Sequence, residues 1–138
     1  MLSKWNVHKL IPVAGMILAL SAANAAAGMG NAGEEIKTAA EHAGYAAKAP
    51  DVKGVQMHLH HAINCLVGPK GQDFDESYGN PCAGEGDGAL NDFTGPPDKK
   101  AYLEQALSLA STGVTIQSHK AVKFVAEAVH ALLMDAQS

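Results

Sequence analysis

The sequence predicts an all-α fold, an antiparallel four-helix bundle built from two helical hairpins. Three observations carry this. Four segments repeat apolar residues at the three- and four-residue spacing of a helix. No segment shows the strict alternation of a half-buried strand. One long stretch, about residues 68–97, is too rich in glycine and proline to hold a long helix or strand, and it separates the hairpins. The short connection inside each hairpin makes its helices antiparallel neighbours.

Residues 1–27 read as a secretory signal peptide. Lys4 and Lys9 supply a charged start, Leu10 to Leu20 an apolar run, and Ser21 to Ala27 a small-residue stretch of A-x-A character. The run is short for a bilayer span. Cleavage is expected near Ala25 or Ala27, leaving residues 28–138 as a single domain in the periplasm, with no membrane attachment. Without Lys4 and Lys9, eight lysines face fourteen acids, a formal charge of −6, and there is no arginine. That balance argues against nucleic acid and anionic lipid as partners and suits a protein that attracts cations.

The first helix is expected to start at Glu34-Glu35, because acids favour the positive end of a helix dipole. Ile36, Ala39, Ala40, Ala43 and Ala47 form its buried stripe, and Pro50 ends it. Asp51 caps the second helix, which runs to about Val67 and stops at Gly68-Pro69. The third is expected after Pro97 with Asp98 as its cap, carrying Tyr102, Ala106, Leu109, Ala110 and Ile116 inward. Gly113 within it marks a close helix contact or a kink. Ser118 caps the fourth, whose stripe is Val122, Val125, Ala126, Val129, Leu132 and Leu133. Lys53 to Leu66 weakly repeats in Lys120 to Leu132, as duplicated hairpins would.

Chemistry concentrates in Met57-His58-Leu59-His60-His61-Ala62-Ile63-Asn64-Cys65. On a helix, His58, His61 and Cys65 share one edge of the apolar face, at i,i+3 and i,i+4 spacing, and His60 falls on the opposite edge. Imidazoles so spaced can meet one ion. The principal metal site is therefore expected at His58 and His61. His42 is the expected third ligand, because Asp51 lies nearly midway between His42 and His60 and a folded hairpin brings them level. Sequence leaves the handedness open; with the opposite hand, His60 becomes the partner of His42. His119 and His130 are further candidates on the last helix. They are eleven residues apart, about 16 Å, and cannot share an ion. For each lone histidine the plain alternative is a solvated or half-buried helix residue.

Cys65 has two readings, a thiolate completing a His58/His61/Cys65 site or a half-cystine. Export and the single partner Cys82 favour a disulfide that ties the long loop to the second helix. The acidic loop residues do not fit an EF-hand: counting from Asp73, Tyr78 stands at the glycine position and Gly84 at the closing glutamate. There is no nucleophile elbow, phosphate loop, H-E-x-x-H or C-x-x-C-H, so no enzyme is expected.

Glu41-His42-Ala43, Ala46-Ala47-Lys48, the His58/His60/His61 cluster and Glu127 to His130 resemble the small metal-binding protein family. These are short, exported, histidine-rich helical proteins. The resemblance covers the helices, not the cysteine-bearing loop, and this chain has fewer histidines than that family. It implies a bundle that buffers or scavenges divalent metals. Imidazole donors point to copper, nickel or zinc. A second reading is a b-type haem or electron-carrier bundle, with Met57 as an axial ligand beside histidine. A third is an envelope interaction module without a ligand.

Overall fold

The computed structural model describes residues 30–138; the leader read over residues 1–27 lies outside the described residues. Those residues form helices and no strand. They are α1 (Ala32–Lys48), α2 (Val52–Val67), a one-turn α3 (Ala89–Asp92), α4 (Pro97–Gly113) and α5 (His119–Gln137), with a 3-10 turn at Glu76–Tyr78. No helix among them is long and apolar enough to cross a membrane.

Local chemistry sets most of the ends. The Asn31 side chain accepts from the Glu34 amide at 3.3 Å, so α1 starts two residues before the expected Glu34. Pro50 stops α1, and Asp51 caps α2 through the Gly54 amide at 2.8 Å. Ser118 caps α5 through the Ala121 amide at 3.4 Å. The expectation for Asp98 is corrected. Pro97 is the first residue of α4, where its missing N–H costs nothing, and Asp98 sits in the first turn without capping.

The four long helices close a ring. α1 packs on α2 and α5, α4 packs on α5 and α2, and α2 and α5 also touch across the middle. The centre is small-residue rich: Ala39, Ala43 and Ala46 of α1 meet Val55, Leu59, Ala62 and Leu66 of α2 and Val122, Ala126, Val129 and Leu133 of α5. Alanine carries little bulk, so the backbones of α1 and its neighbours come close. Gly113 ends α4 where a Cβ would lie 2.7 Å from Leu59 Cδ1 and 3.0 Å from Val125 Cγ1. The close-contact reading of that glycine holds, and no kink is needed. The third of the predicted helices, α4, stops at Gly113, so Ile116 lies beyond it rather than within it. Ala47, Tyr102, Leu109, Ile116, Val125 and Leu132 border the core half-buried rather than filling it.

The loop from 68 to 96 is tied down at three places. Gly68, at φ 68°, lets the chain turn off α2 and pass directly against Asp87 and Gly88, where any Cβ would collide. Buried Asn64 of α2 donates through Nδ2 to the carbonyls of Asp75 (2.8 Å) and Gly79 (2.6 Å) and accepts from the Asp75 amide at 2.9 Å. A disulfide joins Cys65 to Cys82 across a Cα–Cα distance of 5.3 Å, with both residues buried. The thiolate reading of Cys65 is thereby set aside, since no free cysteine remains among the described residues. The bridge spans 17 residues, for which chain entropy gives about 3 kcal/mol. The double variant C65S/C82S should lose about that much stability in urea unfolding while keeping the far-UV signal of the helices.

Candidate metal centre

Three imidazoles meet between α1 and α2. The three-residue turn Ala49-Pro50-Asp51 folds α2 back along α1, which sets His42 level with His58 and His61. The margins of the two helices that carry them face each other. His42 Nδ1 lies 3.2 Å from His58 Nδ1 and 3.2 Å from His61 Nδ1. Among the described residues these three form the one group of histidine, cysteine or acidic side chains whose ligating atoms all lie within 4.8 Å of one another. All three are half-buried. The ring of Tyr45, itself exposed, packs 5.6 Å from both His42 and His58.

Protons are short at this centre. His61 Nε2 lies 2.7 Å from the Tyr78 carbonyl, which can only accept, so the His61 proton is on Nε2. In the neutral ring its Nδ1 is then a bare lone pair. A neutral His42 can put one proton on Nδ1, and that proton must serve both His61 and His58. Moving the proton to His58 leaves two bare lone pairs facing each other across 3.2 Å. A single cation removes the conflict, because it accepts all three lone pairs. At Zn–N distances of 2.0–2.1 Å, tetrahedral ligand nitrogens are about 3.3–3.4 Å apart, close to the 3.2 Å from His42 to each of the other two.

Burial and charge repulsion favour neutral His42 and His58, as ligation requires. Burial, then His61 and His58, lowers His42 to about 4. Burial and His61 also lower His58. Around His61, the positioning runs through the loop: Asn64, one turn along α2, pins the Asp75 and Gly79 backbones on either side of Tyr78. A surface cavity of about 220 Å3, lined by Lys53, Met57, His61, Ser77 and Tyr78, opens beside the cluster.

The remaining candidates lie elsewhere. His60 stacks on the Tyr78 ring at 3.7 Å and 9° between planes, and its Nδ1 is buried without a partner. Burial lowers it, against the pull of nearby Asp75. His60 therefore does not replace His58 and His61 as the partner of His42. His119 Nε2 donates to the Ala49 carbonyl at 3.0 Å, closing the end of α1. His130 sits where α5 crosses Gly44 of α1; a Cβ at Gly44 would lie 3.5 Å from its ring. Asn64 escaped the sequence reading, although an amide embedded in the apolar run Leu59 to Val67 is a visible signal. The Tyr78 carbonyl leaves none.

A scan against protein-family models, a search of curated proteins and a search of solved structures each return no match. The likeness to small metal-binding proteins accordingly rests on its helical motifs alone.

Two outcomes follow. Because His42 and His58 have lowered folded values, the unfolded chain binds more protons than the folded one as pH falls below 6.5. The His42 contribution to stability is full above that pH and is lost as pH falls through about 4, and His58 acts in the same direction. In chelator, the urea midpoint should drop from pH 7 to pH 5 by more in the parent than in H42A. Asn64→Asp keeps the shape and the Asp75 contact but loses both Nδ2 donors, so it should weaken metal binding roughly 10-fold, as outer-shell changes do. Calorimetric titration of the variant reads this directly.

Proposed function

We propose that this chain is a periplasmic binding protein for a divalent transition metal, copper, nickel or zinc, that buffers or scavenges the ion and is not an enzyme. In this reading it is exported by its leader and folds as an antiparallel four-helix bundle, with His42, His58 and His61 as ligands. The single observation that supports it most is the convergence of three Nδ1 atoms with one proton to share between them. The donor set agrees with the metals: neutral imidazole suits borderline and softer divalent ions, with copper favoured on affinity. The negative, arginine-free surface favours cation approach. His61 spends its Nε2 on the Tyr78 carbonyl, which speaks against haem ligation by that residue. His119 and His130 are left as structural residues of α5.

The test is calorimetric titration of copper or zinc into the mature protein and into H58A/H61A. The parent should take up one ion per chain at this centre. The double variant should lose at least 100-fold in affinity with helicity intact, since one ligand of three remains. Equal affinity and stoichiometry in the two proteins would remove the assignment.

A further inference from the structure

A second group of ligating side chains lies two turns of α1 before His42, about 10 Å along the helix. There the first turn of α1 meets the Glu85–Asp92 segment. Glu35 is 1% exposed. Each of three carboxylates is held through one oxygen. The Gly88 amide donates to Glu35 Oε1 at 2.7 Å, the Asp87 amide to Asp92 Oδ2 at 2.8 Å, and the Thr38 hydroxyl to Glu85 Oε1 at 3.0 Å. The second oxygens of Glu35 and Glu85 are buried and accept nothing.

Among the described residues no cation pairs with this charge. The ion pairs among the described residues are Lys37–Glu34 at 3.6 Å and Lys70–Asp87 at 3.2 Å, and neither reaches Glu35, Glu85 or Asp92. Glycine brings the backbone against the carboxylates: a Cβ at Gly86 would lie 2.8 Å from Glu35 Oε1 and would collide with Asp92. Burying unpartnered carboxylates is costly, and the cost is removed by a proton or by an external cation.

We propose that Glu35, Glu85 and Asp92 form a second metal site, for a hard divalent cation of the calcium class. All-oxygen donors select such ions over those that prefer imidazole, so the two centres sort their metals by donor chemistry. Amide and hydroxyl donors orient each carboxylate through one oxygen and leave the other for the ion, as outer-shell contacts do around metals. These oxygens are not gathered as tightly as the histidine nitrogens. The carboxylates must therefore draw in on the ion, which takes six to eight ligands at 2.3–2.6 Å, with water or carbonyls completing the shell. Burial pushes Glu35 up to about 7, the Gly88 amide opposing and Asp92 and Glu85 adding to the rise. Proton and cation therefore compete, and the cation wins at alkaline pH.

The experiment is thermal unfolding of the mature protein at pH 8 with calcium chloride, alongside calorimetry. At 10 mM calcium, well above the affinity range of extracellular sites, the melting temperature should rise by about 5 °C or more. At pH 5.5 the rise should shrink. E35Q keeps the shape and removes the charge; it should be at least as stable as the parent in chelator and should lose the calcium response. E85Q is read the same way if E35Q does not fold. H42A/H58A/H61A should keep the response. No shift and no heat at pH 8 would mean that a proton alone neutralises the cluster and would overturn the proposal. So would an equal shift in E35Q or E85Q, or loss of the shift in the triple histidine variant.

Discussion

The three-residue turn Ala49-Pro50-Asp51 fixes the register of α2 on α1, and the rest of the histidine centre depends on that register. Pro50 ends one helix, the Asp51 side chain starts the next, and nothing between them can slide. The alanine face of α1 then lets the two backbones approach until side chains from both reach a common point. A larger residue at Ala39, Ala43 or Ala46 would push the helices apart and separate His42 from His58 and His61. The site is thus a consequence of how two helices pack, and it needs no special backbone.

What the packing brings together is electrostatically incomplete in two places. At the histidines there are more lone pairs than protons. At Glu35 and Glu85 there are buried carboxylate oxygens without donors. The long loop serves both centres. Its Tyr78 carbonyl fixes the tautomer of His61, and its Gly86–Asp92 portion wraps Glu35. Asn64 and the Cys65–Cys82 bridge hold that loop from adjacent positions of α2. This accounts for the concentration of polar and sulfur chemistry at the end of an otherwise apolar helix.

Helix ends were legible in the sequence because the residues that set them act locally: Pro50, Asp51, Gly68 and Ser118 each work within a turn. Asp98 misled because proline at the first helical position substitutes for a side-chain cap. The level of His42 relative to His58 and His61 followed from counting across the turn. Which margins face each other did not, since that depends on the handedness of packing. The stacking of His60 on Tyr78 and the carbonyl that orients His61 belong to the loop, whose path no periodicity describes. Glu35 looked like a residue that merely favours a helix start, because its burial comes from a segment around Gly88, 53 residues later in the chain.

The most direct measurement is long-range proton–nitrogen NMR of the imidazoles, followed as one equivalent of zinc is added at neutral pH. The His61 Nε2 should be protonated in the metal-free protein and stay so. The Nδ1 signals of His42, His58 and His61 should move together and saturate at one ion per chain. If Nε2 of His61 is the bare nitrogen, or if zinc leaves the three Nδ1 signals in place, the centre described here does not bind metal in the way its geometry implies.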